Sequence, residues 1–213
     1  MPSLASLTPD EIKILLEACF ISLLLGSLPF GLFVGFAYGS DIRKSGSGNI
    51  GAANALRTYG KFGAAIVLIM DVLKGYVSAA VALSALSWVP SLAVAVGVGA
   101  LAVAGHCFSP WLRLRGGKGV ATWLGVLCAL SPIAGGAFIV IWLATVIPTR
   151  YSSLGSIVAS VLSPVVLWLL FRDAGVSVVA ALVALLIVWK HRENIVRLRA
   201  GSESKIVLRR AQA

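Results

Sequence analysis

The chain has 213 residues, of which 59% are hydrophobic and only 12% are charged, and its mean hydropathy is +0.96. Globular proteins carry about 25% charged residues, so the composition excludes a soluble, disordered, collagenous or disulfide-stapled protein. Eighteen Lys and Arg residues against eight Asp and Glu residues give a net charge of +10, which predicts contact with anions.

Seven apolar segments predict an all-α integral membrane protein with seven transmembrane helices. In chain order they cover residues 12–38, 62–87, 90–107, 120–130, 132–147, 152–171 and 174–189. At about 20 residues each, seven spans use roughly 140 residues, so we expect one polytopic membrane domain over residues 1–213. The weakest boundary is Pro132, because a single kinked helix there would lower the number of spans to six.

The basic residues predict the orientation in the membrane. With seven spans, fifteen Lys and Arg residues lie on one side and only Lys13 and Arg172 on the other. Because basic loops stay cytoplasmic, we expect the N-terminus outside and the C-terminus in the cytoplasm. The acidic residues before Lys13 do not match a cleavable signal peptide, so the first segment is expected to be retained. The cytoplasmic parts are then about 39–61, 108–119 and the tail 190–213.

The first cytoplasmic loop combines glycines, neutral polar side chains and an arginine. Its candidate phosphate-binding residues are Ser47, Gly48, Asn49, Gly51, Asn54 and Arg57. Glycines expose backbone N–H groups and the guanidinium adds a fixed charge, which suits a phosphate. The spacing of Gly46, Gly48 and Gly51 also matches the dinucleotide-binding fingerprint. That fingerprint needs a preceding strand, whereas apolar spans flank this loop.

The second cytoplasmic loop ends in Gly116, Gly117, Lys118 and Gly119, just before the next span. At a helix N-terminus such a segment offers N–H groups, the positive end of the helix dipole and an ammonium to one anion. It is not a Walker A loop, because Gly119 follows Lys118 where Ser or Thr is required. Binding of acidic lipid head groups is the alternative interpretation. His106 and Thr122 flank the loop as further candidates.

The tail predicts a short helix in which His191 and Asn194 share one face and address a substrate. The alternative is an amphipathic helix that lies on the lipid surface. Asp71 and Lys74 share a face of the second span, where ionisable residues are functional candidates. Their spacing also permits a self-contained ion pair, and both interpretations stay open. The three cysteines have no metal-ligand spacing, so we expect neither a metal nor another cofactor.

Together the motifs resemble one family, the bacterial acyl-phosphate:glycerol-3-phosphate acyltransferases (PlsY). The resemblance covers residues 26–205 in the same order. It rests on Ser47-Gly48-Asn49-x-Gly51-Ala52-x-Asn54-x-x-Arg57, Asp71-x-x-Lys74-Gly75, Gly105-His106, Gly116-Gly117-Lys118-Gly119-Val120-Ala121-Thr122 and His191-x-x-Asn194-Ile195-x-Arg197-Leu198-x-x-Gly201-x-Glu203-x-Lys205. Ala53 departs from the family pattern, which usually has Thr there.

The resemblance implies a seven-helix enzyme of the bacterial inner membrane whose active site faces the cytoplasm. It implies transfer of a fatty acyl group from acyl phosphate to the 1-hydroxyl of glycerol 3-phosphate, giving lysophosphatidic acid and phosphate in the first step of phospholipid synthesis. The implied catalytic residues are Ser47, Arg57, Lys118, His191 and Asn194. The implied substrate- or phosphate-binding residues are Gly48, Asn49, Gly51, Asn54, His106, Gly116, Gly117, Gly119, Thr122, Arg197 and Glu203.

The implied partners are the two substrates, membrane lipid and, functionally, the enzyme that makes acyl phosphate, with no nucleic acid. The proton acceptor stays open between His191, His106 and a phosphate oxygen of glycerol 3-phosphate. No His lies beside Ser47 in the sequence, so we expect direct transfer without an acyl-enzyme. An organic-phosphate transporter and a lipid-binding scaffold are the alternatives. Transporters place their sites near the membrane midplane, whereas the polar residues here crowd one face.

Overall fold

The computed structural model describes residues 7–85 and 91–206, and within these ranges every regular element is helical. The α-helices are α1 Pro9–Ser27, α2 Phe30–Ala37, α3 Ala52–Ala85, α4 Leu92–Cys107, α5 Val120–Leu130, α6 Pro132–Thr149, α7 Ser152–Phe171, α8 Ala174–Lys190 and α9 Arg192–Arg199. Two 3-10 turns, Ile42–Lys44 and Pro110–Leu112, lie in the loops that follow α2 and α4. The predicted all-α fold is therefore confirmed.

The helices differ in whether they are long enough to cross a membrane. Five segments of the described chain are long and apolar enough, and the pair α8 and α9, bent by 59°, makes a sixth candidate. Helix α5 has only 11 residues, which at 1.5 Å per residue reach about 16 Å, roughly half of the hydrocarbon core. The number of seven spans and the orientation of the termini therefore stay predictions.

Two predicted boundaries change in the structure. The first apolar segment is divided into α1 and α2 at Leu28 and Pro29, where proline lacks the N–H needed to continue the helix. The first loop was expected to end near residue 61, but α3 already begins at Ala52, so Asn54 and Arg57 lie on a helix. The connection predicted near residue 89 lies outside the described residues.

Helix α3 is kinked at Gly60, which has φ 74° and ψ −168°. Residues with side chains rarely adopt this backbone conformation. No heavy atom lies within 4 Å of the position that a Cβ would take there, so the glycine serves the backbone and not close packing. The kink separates the short segment that carries Arg57 from the long apolar part of α3.

Close backbone contacts hold the helices together. Gly75 of α3 packs against the carbonyl of Thr122, and Gly125 of α5 packs against the carbonyl of Val72, so that a Cβ at either glycine would overlap backbone atoms. Small residues allow such close approach between membrane helices. The main apolar core lies between the helices α3 to α8, and fifteen buried residues form it, including Val103, Trp123 and Ile187.

Candidate functional site

Asn54 closes the first loop. Its side chain is 1% exposed, and Nδ2 faces the carbonyl oxygens of Ile42, Ser45 and Asn49 at 3.2, 3.0 and 2.8 Å. Its Oδ1 accepts a hydrogen bond from the backbone N–H of Ser47 at 2.8 Å. Both ends of the amide are thus used inside the protein. The structure therefore shows Asn54 as a clamp that shapes the loop.

The closed loop presents two groups for a ligand. Gly46 and Gly48 have positive φ values of 57° and 71°, and Asn49 Oδ1 accepts from the backbone N–H of Gly51 at 2.9 Å. These turns bring Ser47 to the surface. Both Ser47 and Arg57 are exposed, and neither side chain has a hydrogen-bond or ion-pair partner in residues 7–85 and 91–206.

The second loop is attached to the end of α4. Gly117 donates its backbone N–H to the carbonyl of His106 at 3.0 Å, and Gly116 donates to that of Cys107 at 3.2 Å. These two N–H groups, which the sequence suggested for a phosphate, are thus bonded within the protein. The first N–H groups of α5 have no carbonyl one turn earlier within the helix, so the free donors lie just after Lys118.

Lys118 begins a hydrogen-bonded chain that reaches the tail. Its Nζ donates to Asn194 Oδ1, and Asn194 Nδ2 donates to Glu203 Oε1 at 2.6 Å. Ser153 donates to the same Oε1 at 2.7 Å, and Arg197 Nε donates to Oε2 at 2.7 Å. The carboxylate of Glu203 therefore ties the second loop, α7 and α9 together.

The charges of this cluster affect one another. Burial lowers the pKa of Lys118 to about 8, Glu203 opposes that effect, and the nearby guanidinium groups of Arg197 and Arg57 reinforce it. Burial raises the pKa of Glu203, but hydrogen bonds from Asn194, Ser153 and Arg197 outweigh burial and keep the pKa below its ordinary value. Glu203 is therefore an anion at neutral pH, and Lys118 is a cation close to its titration point.

The two histidines carry the proton of the neutral ring on different nitrogens. His191, just past the end of α8, lies with Nδ1 2.8 Å from the carbonyl oxygen of Ile187. A carbonyl only accepts, so Nδ1 carries the proton and Nε2 offers a lone pair. Burial and the charge of Lys118 lower the pKa of His191 to about 4. In His106, Nδ1 faces the Lys74 ammonium at 2.7 Å, so Nδ1 accepts and Nε2 carries the proton.

The remaining candidates lie deeper. Asp71 and Lys74 form the ion pair that their spacing permits, with 2.9 Å between Oδ1 and Nζ, and both are 2% exposed. Thr122 is fully buried in the contact between α3 and α5, and its hydroxyl has no hydrogen-bond partner among the described residues. These residues therefore lie beneath the loops and not at the surface where Ser47 and Arg57 are found.

Sequence reasoning did not identify Ser153 or the attachment of the tail. Besides the bond from Ser153 to Glu203, the backbone N–H of Ile206 donates to the carbonyl of Arg150 at 2.8 Å. The Lys205 ammonium lies 5.3 Å from the centre of the Tyr151 ring. Each contact joins residues about 50 positions apart, so no local sequence pattern predicts it. No group of three or more metal-ligating side chains occurs within the described ranges.

Comparisons with known proteins agree with one another. The sequence model of the family described as Glycerol-3-phosphate acyltransferase matches residues 16–201. A glycerol-3-phosphate acyltransferase of Agrobacterium fabrum is 49% identical over 193 residues, which are 89% of this chain and 90% of the relative. Glycerol-3-phosphate acyltransferase 1 of Rhizobium johnstonii is 44% identical over 200 residues, covering 92% of this chain and 93% of the relative.

Two solved structures share the fold. The crystal structure of PlsY, an integral membrane glycerol 3-phosphate acyltransferase, in its glycerol 3-phosphate form gives a TM-score of 0.86 at 36% identity, covering 91% of this chain and 96% of that chain. The lysophosphatidic acid form gives a TM-score of 0.84 at 35% identity, covering 91% and 95%.

Proposed function

The chain belongs to the glycerol-3-phosphate acyltransferase family and is an integral membrane enzyme, and from that premise we propose that acyl phosphate is its acyl donor. The acyl group moves to the 1-hydroxyl of glycerol 3-phosphate, a new ester bond forms, the bond between the acyl carbon and the phosphate oxygen breaks, and lysophosphatidic acid and phosphate leave. One observation carries this proposal: Lys118 of the second loop donates a hydrogen bond to Asn194 of the tail, and the charge of Arg57 at the start of α3 helps to lower the pKa of Lys118.

The cluster suits a reaction of two phosphate-bearing substrates. Arg57, Lys118 and the free N–H groups at the start of α5 hold phosphate oxygens, and Ser47 adds a neutral donor. As the acyl carbon is attacked, negative charge grows on the carbonyl oxygen and on the leaving phosphate, where prearranged cations stabilise it. Holding the hydroxyl against the acyl carbon adds proximity. Gly48, Asn49, Gly51 and Asn54 shape the first loop around these groups.

We assign the proton of the attacking hydroxyl to a phosphate oxygen of glycerol 3-phosphate. His191 presents an acceptor nitrogen at Nε2, but its pKa of about 4 makes it a weak base. A phosphate monoester has a second pKa near 6 and is the stronger base. His191 then orients the hydroxyl through a hydrogen bond. Ser47 has no histidine among its hydrogen-bond partners in the described chain, which supports direct transfer without an acyl-enzyme.

The distribution of charge supports a seven-span topology in a bacterial inner membrane. The residues assigned to the site lie in the segments 39–61 and 108–119 and in the tail, which carry fourteen of the eighteen Lys and Arg residues. Basic loops stay in the cytoplasm, so the site faces the cytoplasm. An acyl phosphate is both apolar and reactive, and the enzyme that makes it is therefore the functional partner that delivers it to this membrane surface.

The test is phosphate release by purified protein in detergent with palmitoyl phosphate and glycerol 3-phosphate. We expect release only with both substrates, and its loss in Lys118→Ala. Lys61→Ala is the matched control, because Lys61 is exposed on α3 and outside the cluster. Turnover with palmitoyl coenzyme A but not palmitoyl phosphate would overturn the donor assignment. Uptake of glycerol 3-phosphate by vesicles without turnover would favour a transporter, and an acyl adduct trapped on Ser47 would exclude direct transfer.

A further inference from the structure

A buried polar cluster lies beneath the second loop. The Lys74 ammonium is 2.9 Å from Asp71 Oδ1, 2.7 Å from His106 Nδ1 and 3.1 Å from the carbonyl oxygen of Leu28. The ammonium thus hydrogen-bonds to His106 Nδ1 and to the Leu28 carbonyl and forms an ion pair with Asp71. The cluster joins the end of α1 to α3 and α4, and its three residues are at most 4% exposed.

The cluster fixes the orientation of the His106 ring. Because Lys74 donates to Nδ1, the proton of the neutral imidazole lies on Nε2. A ring held through Nδ1 by a saturated ammonium cannot flip without breaking that hydrogen bond. Nε2 has no hydrogen-bond partner among the residues that the structure describes, and it points away from Lys74 toward the second loop.

Gly117 lies directly against this ring. A Cβ built on Gly117 would overlap His106 Nε2, and its three nearest atoms all belong to the His106 ring. The backbone of His106 contacts the same residue, because its carbonyl accepts the N–H of Gly117 at 3.0 Å. His106 therefore contacts the residue before Lys118 with both its ring and its backbone.

We propose that His106 is a positioning residue for acyl transfer: the Asp71–Lys74 pair orients its ring, and the ring determines where Gly117, and with it Lys118, lies. This inference rests on the proposed function, since Lys118 is the cation that holds phosphate. An ion pair in a membrane interior is costly, and apolar side chains of similar volume often stabilise a fold as well or better. What the ion pair adds is a defined orientation of the His106 ring, through the hydrogen bond between Lys74 and Nδ1.

A double-mutant cycle tests the contact. Gly117→Ala places a methyl group against the ring, and we expect kcat/KM to fall by about 100-fold, the scale of an ångström-sized misplacement. His106→Ala removes the ring and leaves room for that methyl group. In the His106→Ala background, Gly117→Ala should therefore cost no more than about 3-fold further, which is a strong departure from additivity.

Gly116→Ala is the matched control. A Cβ at Gly116 would meet the backbone carbonyl of His106 and not its ring, so His106→Ala cannot relieve it. We expect Gly116→Ala to be equally damaging with and without the ring. The inference would be contradicted if His106→Ala relieved both glycine variants equally, or if it relieved neither of them.

Kinetic constants separate positioning from general destabilisation. We expect His106→Ala to raise KM for glycerol 3-phosphate by about 10-fold or more, because an anion site loses its alignment. Ser22→Ala removes another buried bond, from Ser22 Oγ to the carbonyl of Val98 at 2.5 Å, and should lower the thermal midpoint while both KM values stay unchanged. His106→Ala behaving like Ser22→Ala would reduce the cluster to a structural role.

If the His106→Ala protein cannot be purified in a folded state, His106→Asn replaces it in the same tests. The side-chain oxygen of the asparagine still offers Lys74 an acceptor. The two levels of failure are distinguishable. A folded, unmutated protein that does not turn over both substrates would overturn the proposed function. An active protein in which the effects of Gly117→Ala and His106→Ala simply multiply would overturn only the role of His106.

Discussion

Asn194 donates a hydrogen bond to Glu203 Oε1 over 2.6 Å while its own Oδ1 accepts one from Lys118. The neutral amide thus separates a cation from a carboxylate. Asn194→Asp places a second carboxylate against Glu203, and like charges at hydrogen-bond distance repel. We expect kcat/KM for phosphate release to fall by about 100-fold. Ser153→Ala, which removes one neutral donor to the same oxygen, should cost about 10-fold or less. Equal losses of kcat/KM in the two variants would show that the added negative charge is not the cause of the loss in Asn194→Asp.

The titration of Lys118 predicts an alkaline limit to substrate binding. The free enzyme loses this proton near pH 8, so KM for glycerol 3-phosphate should rise about 10-fold for each pH unit above that value. Lys118→Arg keeps its charge throughout this range and should flatten the rise, whatever its effect at pH 7. A steep rise that persists in Lys118→Arg would assign the limit to another group.

The same titration should increase the stability of the protein at alkaline pH, although it weakens substrate binding. Between pH 8 and 10.5 the folded protein holds fewer protons at Lys118 than the unfolded chain, where the pKa is about 10.5. The contribution of this residue to the free energy of unfolding therefore increases as pH rises through that window. Thermal unfolding in detergent, compared between the unmutated protein and Lys118→Arg, measures it. Loss of binding above pH 8 should thus occur without unfolding.

Even an isosteric substitution of Asn54 should reduce stability and activity. Asn54→Asp replaces the donor that faces three carbonyl oxygens with an acceptor, and each unsatisfied buried group costs about 1–3 kcal/mol. We expect a lower thermal midpoint and, because Ser47 and Arg57 shift, a loss of about 100-fold in kcat/KM. Asn49→Ala, which loses only the bond to the backbone N–H of Gly51, should have a clearly smaller effect on both measurements.

Gly60→Ala tests the kink in α3. The backbone conformation at Gly60 is unfavourable for a residue with a side chain by about 1–3 kcal/mol, although the added methyl group meets no atom within 4 Å. We expect a lower thermal midpoint and reduced activity, because Arg57 lies three residues earlier. Gly136→Ala is the control, since its Cβ position is equally empty and its φ is not positive. It should be neutral or slightly stabilising. Activity unchanged in Gly60→Ala would show that the kink does not position Arg57.

The sequence predicted the helical fold because apolar segments of membrane length are a strong compositional signal. It also identified Lys118, Asn194 and Glu203 of the hydrogen-bonded cluster, because they stand in motifs of recognisable chemistry. The first loop was predicted to reach Lys61, because Asn54, Arg57 and Lys61 interrupt the apolar pattern, whereas in the structure a helix begins at Ala52 and Asn54 hydrogen-bonds to the loop from that helix. The polarity of a segment indicates whether it lies at the surface or within the membrane. It does not indicate whether the segment is a loop or a helix.

The roles of individual residues depended on contacts between distant parts of the chain. Ser153 is an ordinary serine in an apolar segment, and only the fold places it beside Glu203. The spacing of Asp71 and Lys74 permitted their ion pair as one of two interpretations, but it gave no sign that His106, more than thirty residues later, joins it. Long-range pairing of this kind has no periodicity within one chain segment.

The reciprocal glycines of α3 and α5 constrain how this protein can evolve. Each glycine, Gly75 and Gly125, faces a peptide carbonyl of the other helix, and every residue has that carbonyl whatever its side chain. A mutation at one position therefore has no compensating substitution at the other, and relief requires displacement of a whole helix. The contact between α3 and α5 therefore tolerates less change in this chain than the side-chain packing of the apolar core does.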